Sequence, residues 1–337
     1  MIKEAILALS QKQSLSYHQA KLAMNEIMSG QASNIQIAAF LVALAMKGES
    51  IEEITACAES LREHCIRLLH NMEVLEIVGT GGDGSDSFNI STASAIVAAA
   101  GGVSVAKHGN RAASSKCGAA DVLEALGVNI MLTKEDSERL LQEIGICFLF
   151  AQNYHISMHY VAPVRRELGI RTIFNILGPL SNPAGATLQL MGVYDEALLE
   201  PLARVMHNLG VRRGMVVYGH DKLDEISLGA PTKICEITQE GIKSYLISPQ
   251  DFGYTPCAPD ALKGGYPQEN ARIMLDIFSG YDKGAKYQAV CLNAGAALYI
   301  AGKAESHLEG VRMAEAIIDS KKAESKLQDF IHKSQQQ

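Results

Sequence analysis

Tryptophan is absent from these 337 residues, and all aromatic residues together make up only 6%. Cysteine is present without pattern. Seven residues, at positions 57, 65, 117, 147, 235, 257 and 291, are odd in number and form no C-x-x-C pair. That spacing excludes a disulfide framework and a cysteine zinc site. No apolar run approaches the roughly 20 residues that a membrane helix needs; the longest, Ile35 to Met46, is broken by Gln36. An excess of positive charge is missing too. Thirty Lys and Arg face 37 Asp and Glu, for a net charge of −7, which excludes a general nucleic-acid coat and leaves room for a local phosphate site. The first residues carry an early acid, Glu4, and no cleavage pattern, so the expected compartment is the reducing cytoplasm, with no membrane attachment. Neither an internal repeat nor a low-complexity linker is visible.

What is present fits an ordinary globular protein, 47% hydrophobic and 20% charged. At about 150 residues per domain, the length suggests one large or two unequal domains. The first seventy residues read as consecutive helices. Ser16 with Gln19, Ser33 with Gln36 and Ser50 with Glu53 form three capping-box pairs, and Gly30 and Gly48 stand where helices would stop. The Ile35–Met46 helix is apolar nearly all round, which predicts burial, in part against a second subunit. From residue 73 short apolar runs alternate with helical stretches. Strands are expected over Val74–Val78, Val103–Ala106, Ile146–Phe150, Leu188–Val193, Gly214–Tyr218, Lys233–Ile237 and Ile242–Ile247, and the tail from Lys286 returns to helices. The expected architecture is α/β: a small all-helical domain over residues 1–72 and a larger domain over 73–337. The larger domain holds a central, largely parallel sheet, with room for mixed pairing, flanked by helices. The Arg-, Pro- and Gly-rich segment 162–183 reads as a joint packing against the helical unit.

Gly79-Thr80-Gly81-Gly82-Asp83-Gly84 follows a strand and precedes a helix, and it satisfies G-x-G-x-x-G. A dinucleotide site wants an acid at the end of the second strand. Here Lys107-His108-Gly109-Asn110-Arg111 stands instead, and Asp83 inside the loop would repel a bare pyrophosphate. An NADP reading could still use Lys107 or Arg111. A phosphorylated sugar fits better, because glycines let backbone N–H groups approach phosphate oxygens and the helix opening near Asn89 adds its dipole. Ser91 and Thr92 also read as plain N-cap residues. The second Gly/Ser/Lys/Arg loop, from Lys107 through Ser115, would share the carboxyl rim of a parallel sheet, where ligands bind.

The motifs Gly79-Thr80-Gly81-Gly82-Asp83, Phe88-Asn89-Ile90-Ser91-Thr92, Lys107-His108-Gly109-Asn110-Arg111, Asn175-Ile176-Leu177-Gly178-Pro179-Leu180, Leu223-Asp224-Glu225-Ile226-Ser227 and Asn293-Ala294-Gly295-Ala296-Ala297 occur in that order across the chain. In this the sequence resembles the anthranilate phosphoribosyltransferase family. The resemblance implies a homodimer, a magnesium requirement, and transfer of phosphoribose from phosphoribosyl pyrophosphate to the amine of anthranilate in tryptophan biosynthesis. It implies donor contacts at Gly79, Gly82, Asp83, Ser87, Asn89, Ile90, Ser91, Thr92, Lys107, His108, Gly109, Asn110, Arg111, Ala112, Ala113, Ser114, Ser115 and Ala119. Anthranilate would meet Gly79, Asn110 and Arg165, and magnesium would meet Ser91, Asp224 and Glu225.

The chemistry suits these residue types. Displacing pyrophosphate from an anomeric carbon builds negative charge on the leaving group, which a magnesium site answers. Asp224 and Glu225 are neighbours, so they can share that work only in a loop; taken alone, the dipeptide also reads as a solvated acidic pair. Arg165 suits the acceptor's carboxylate, or else an interdomain ion pair. The weakly basic aromatic amine needs no strong base, so no residue is assigned as general base. His155 and His159 have the i, i+4 spacing of metal ligands but lack a third partner. Departures from the family pattern are Ile156 after His155, where proline is usual, Lys222 before the Leu-Asp-Glu element, and Ser87 in place of threonine. Two other readings are a pyrimidine-nucleoside phosphorylase and a non-catalytic paralogue that binds nucleic acid.

Overall fold

A computed structural model of the chain describes residues 1–112 and 115–336; the expected donor contacts Ala113 and Ser114 lie outside the described residues. Four helices come first: α1 (Ile2–Ser10), α2 (Tyr17–Met28), α3 (Asn34–Lys47) and α4 (Ile51–Glu63). All three capping boxes close, each Ser side chain accepting from the N3 backbone and each N3 side chain accepting from the Ser backbone. Gly30 and Gly48 end their helices at φ +74° and +87°. Helix α3 buries Ile37, Phe40, Leu41 and Leu44 within the chain, whereas Ile35 and Met46 are 82% and 80% exposed. A single chain thus covers one face of this apolar helix and leaves open the face that the expected second subunit would cover.

Seven strands follow: β1 (Leu75–Gly79), β2 (Val105–Gly109), β3 (Ile146–Phe150), β4 (Leu188–Gly192), β5 (Arg213–Gly219), β6 (Thr232–Thr238) and β7 (Gly241–Ile247). They form one sheet in the order β3-β2-β1-β4-β5-β6-β7. The first five pair in parallel, and β6 and β7 are added antiparallel, so the sheet is mixed. Between and after them run α5 (Ile90–Ala100), α6 (Ala119–Ala125), α7 (Lys134–Ile144), α8 (Ala151–Tyr154), α9 (Ala162–Leu168), α10 (Phe174–Leu180), α11 (Leu199–Asn208), α12 (Pro267–Phe278), α13 (Ala285–Ile300), α14 (His307–Asp319) and α15 (Lys322–Ser334).

Two apolar cores flank the sheet. One joins β1, β2 and β3 to α5 and to α12 through α15. The other joins β4, β5 and β6 to α11, and continues through Val164, Phe174 and Leu177 into the side chains of α1 to α4. The segment from α9 through α10 thus belongs to the core of the helical unit, and near its end Pro179 O accepts from Gln189 Nε2 of β4 at 2.7 Å. Arg62 of α4 pins the junction. Its Nε donates to Leu180 O at 2.7 Å and its Nη1 to Leu209 O at 3.0 Å, so one guanidinium meets the carbonyl ends of α10 and α11. Chain direction around the sheet reverses between β1 and β4: β2 and β3 lie to one side, β4 and β5 to the other. In parallel α/β sheets a ligand crevice opens at such a point, beyond the carboxyl ends of the strands.

Candidate active site

At that crevice the strand ends are bare. Gly79 of β1 pairs in register with Gly192 of β4, and the loop between β5 and β6 crosses directly over both. A Cβ on Gly79 would overlap the Asp224 carboxylate, and one on Gly192 would overlap the Asp224 backbone carbonyl. Only glycine at both positions lets this loop descend onto the sheet. It is held from behind by Asn293 of α13, fully buried, whose Oδ1 accepts from Ile226 N–H and whose Nδ2 donates to Ile226 O, both at 2.9 Å.

The crossing places two buried carboxylates. Asp224 Oδ2 accepts from Gly81 N–H at 2.7 Å, which ties it to the glycine loop. Glu225 Oε1 accepts from Ser91 N–H at 3.1 Å, in the first turn of α5. Burial drives the Asp224 carboxyl well above its ordinary range, with the charges of Asp83 and Glu225 adding to the push. Burial raises Glu225 to about 8 against the pull of Lys107. Lys107 lies beneath, its Nζ donating to Ile77 O at 2.7 Å. Burial lowers its pKa, and the charges of Glu76 and Glu225 work the other way. Glu76, at the bottom of this stack, is raised by burial to about 8 and accepts from His108 N–H and from Asn182.

A cavity of about 390 Å³ opens above this floor. Among its walls are Gly79, Gly82, Asp83, Ser87, Asn89, Ile90, Ser91, Thr92, Lys107, His108, Gly109, Asn110, Arg111, Ala112, Ser115, Ala119, Arg165, Asp224 and Glu225. Gly81, Gly82 and Gly84 adopt φ of +68°, +74° and +74°. Such a run turns successive N–H groups toward one side, a form that receives anions. Asn89 is braced at both ends, donating to Cys117 O at 3.2 Å and accepting from Asn270 Nδ2 at 2.9 Å. Ser87 forms an antiparallel bridge with Lys263. Arg111 is less available than its sequence position suggests: its guanidinium is engaged by Asp121 at 3.0 Å and Glu124 at 2.8 Å.

A second cavity, about 550 Å³, adjoins the first and shares with it Gly79, His108, Asn110, Arg165, Phe174 and Gly178. Its remaining wall includes Leu61, Ala151, His155, Ile156, Met158 and Ala162. Arg165 lies half-buried, 5.4 Å over the Phe174 ring, and no carboxylate pairs with it among the described residues. Burial alone lowers its pKa. The rings of His108 and His155 stand 5.0 Å apart. Burial takes His155 down to about 4, and burial with the neighbouring His155 and Lys107 takes His108 well below its ordinary value. Both are neutral at physiological pH, which leaves Arg165 as the cation for an acidic guest. His155 and His159 both line this cavity, but no third ligand joins them among the described residues. The segment Ile156–Tyr160 is a 3-10 helix, which breaks the i, i+4 geometry, and His159 packs on Tyr160 with its Nδ1 at Ile156 O.

Among the described residues no three His, Cys, Asp or Glu side chains converge as a complete metal site. Asp224 and Glu225 nonetheless fit magnesium. They are hard, buried oxygen donors, each with one oxygen already fixed by a backbone N–H, and their raised pKa values mark negative charge short of a counter-ion. Magnesium binds in this way, through one or two carboxylates, with waters and substrate phosphates completing the shell. The raised carboxyls bind protons more tightly in the folded chain than in the unfolded one. Without metal, stability therefore falls as pH rises from 4.5, the ordinary Glu value, to about 8. Replacing Asp224 with Asn and Glu225 with Gln keeps both acceptor oxygens and removes the charge. In metal-free buffer at pH 8 this double variant is expected to melt no lower than the parent, and to lose the melting-temperature rise that magnesium gives. Calorimetric scans check both, and a collapse of cooperative unfolding would make the pair a folding element.

Comparison with known proteins matches both units. Residues 3–65 fit the glycosyl transferase family helical bundle domain, and residues 71–324 its a/b domain. The anthranilate phosphoribosyltransferase of Methanobrevibacter smithii is 59% identical over 331 residues, 98% of each chain. That of Lachnoclostridium phytofermentans is 58% identical over 334 residues, 99% of each chain. Among solved structures, anthranilate phosphoribosyltransferase from Thermus thermophilus superposes with a TM-score of 0.93 at 43% identity, covering 98% of this chain and 99% of that one. The Saccharomyces cerevisiae enzyme, in complex with phosphoribosyl pyrophosphate and Mg, gives 0.92 at 28% identity over 99% and 97%. Likeness of this degree, in sequence and in fold and from end to end, means that the chain belongs to the anthranilate phosphoribosyltransferase family.

Proposed function

We propose that this chain transfers the 5-phosphoribosyl group of phosphoribosyl pyrophosphate to the amine of anthranilate, releasing pyrophosphate, as a step of tryptophan biosynthesis. The observation that carries this reading is the junction of two unlike cavities at Gly79, His108, Asn110 and Arg165. One suits an anion with a metal beside it; the other is mainly apolar and holds a guanidinium that pairs with no carboxylate among the described residues.

The donor's diphosphate lies along the N–H groups of the glycine loop, and its ribose faces the loop from Lys107 onward and the first turn of α5. Asp224 and Glu225, with the Ser91 hydroxyl, hold magnesium, which when bound neutralises charge developing on the departing pyrophosphate. Arg165 pairs with the carboxylate of anthranilate and so fixes the ring against Phe174, with the amine turned toward the shared opening. The nitrogen lone pair forms the bond to the anomeric carbon as the bond to pyrophosphate breaks. The proton then leaves a nitrogen that the new bond has made acidic, so positioning and leaving-group stabilisation carry the rate.

In the homodimer we propose, the exposed face of α3 supplies contact surface. Ile35 and Met46 lie eleven residues apart, three helical turns, and therefore share that face. The seven cysteines are all unpaired, which fits the cytoplasm.

Anthranilate fluorescence should fall only when phosphoribosyl pyrophosphate and magnesium are both added, against almost no protein background because tryptophan is absent. Phosphorolysis of thymidine or uridine instead would move the chain to the nucleoside phosphorylases. Replacing Arg165 with Ala should raise KM for anthranilate at least about tenfold while leaving KM for the donor within about twofold; equal rises would make Arg165 a structural residue. Sedimentation should give a dimer for the parent and a monomer for Ile35→Glu combined with Met46→Glu. A parent that sediments as a monomer at micromolar concentration overturns the dimer.

A further inference from the structure

Arg171 takes no part in the reaction as derived above, yet it grips the glycine loop from outside the donor cavity. Its Nη2 donates to Gly82 O at 2.5 Å, and its guanidinium lies 4.0 Å over the Tyr194 ring. No carboxylate pairs with it among the described residues. Tyr194 is tied to the same loop by its backbone: its N–H donates to Thr80 Oγ1 at 3.1 Å. Thr80 N–H in turn donates to Gly192 O at 2.9 Å. Thr80 and Gly82 are therefore held by one tyrosine, the first through its main chain and the second through the arginine resting on its ring.

The consequence falls on the peptide group joining Gly82 to Asp83. The Gly82–Asp83 peptide bond is trans, as are all peptide bonds among the described residues, so the Gly82 carbonyl and the Asp83 N–H point in opposite directions. Gly82 and Asp83 line the donor cavity and Arg171 does not. Anchoring the carbonyl on the outside thus turns the N–H inward. Among the described residues the N–H groups of Gly82, Asp83 and Gly84 find no acceptor in the protein. Glycine next to a peptide lowers the obstacle to rotating it, and a rotated peptide would aim a carbonyl oxygen at an incoming diphosphate.

We propose that Arg171 is a positioning residue for the donor. Carried on Tyr194, it fixes the Gly82–Asp83 peptide in the orientation that receives the diphosphate. The inference rests on the proposed function. Arg171 also lies between α9, which bears Arg165, and α10, which begins at Phe174, so one short segment carries both the acceptor's cation and the brace on the donor loop.

Calorimetric titration of inorganic pyrophosphate with magnesium tests the brace apart from turnover. Arg171→Ala and Tyr194→Leu should each weaken binding about tenfold. The double variant should lose no more than either alone, since both break one device. Tyr194→Phe keeps the ring and should bind like the parent. Arg171→Lys should behave like Arg171→Ala, because an ammonium cannot lie flat on a ring and donate at its edge together. In turnover, KM for phosphoribosyl pyrophosphate should rise while KM for anthranilate stays within about twofold. Tyr194→Leu that binds normally while Arg171→Ala does not would mean that Arg171 meets the diphosphate directly. That result, additive losses, or equal rises in both KM values would overturn the brace. A parent that binds pyrophosphate with magnesium but never consumes anthranilate would defeat the proposed function and leave the brace standing.

Discussion

The structure depends on a close approach of main chain to main chain at the point where the sheet reverses direction. Gly79 and Gly192 are register partners at the ends of β1 and β4, and Asp224 occupies the space their missing side chains leave. β2 and β5 end in glycine as well, at Gly109 and Gly219, so the carboxyl rim is almost free of side chains where the loops must meet. Once the loop between β5 and β6 is down on the strand ends, the rest follows. Asp224 reaches the glycine loop, Glu225 reaches the first turn of α5, and Asn293 holds the crossing from the far side. The glycine loop, the first turn of α5 and the two buried carboxylates are thereby brought to one place by elements more than a hundred residues apart in sequence.

The electrostatic character of the site follows from what that crossing leaves unsatisfied. Two carboxylates are buried with raised pKa values, and among the described residues a run of N–H groups finds no acceptor and one half-buried arginine finds no acid. Each is unfavourable in isolation. Each also matches a group that the proposed substrates would bring: a divalent cation, a diphosphate and an aromatic carboxylate. Folded proteins tolerate such defects where ligands correct them. The histidines between the two cavities are kept neutral by burial, so on the proposed reading they would neither draw the diphosphate toward the acceptor side nor compete with Arg165.

Much of this was legible in the sequence. The three capping boxes closed because they are local, needing only residues three apart. Every expected strand formed, with ends shifted by no more than three residues; the five parallel ones are continuous apolar runs because they are buried. The glycine loop, the Lys107 loop and the Asp224–Glu225 pair announced themselves as motifs, and the structure brings their described residues around one cavity. What stayed hidden was non-local. Gly192 reads as an ordinary strand end until Asp224 is seen above it. Arg171 and Tyr194 are 23 residues apart and match no motif, so their stacking required coordinates. Arg111 looked like a free phosphate ligand because its partners, Asp121 and Glu124, lie in the following helix. Helices α11 and α12 went unread, and the apolar composition of α3 exceeds what one chain buries, Ile35 and Met46 remaining on its open face.

The proposed donor site depends on the descent of Asp224 between two glycines. The most direct test of that dependence is the dissociation constant of phosphoribosyl pyrophosphate with magnesium for the variant Gly192→Ala, a residue outside the cavity wall. Adding one methyl group should force Asp224 off the strand ends and weaken donor binding at least about tenfold while unfolding stays cooperative. Binding within about twofold of the parent would contradict the account.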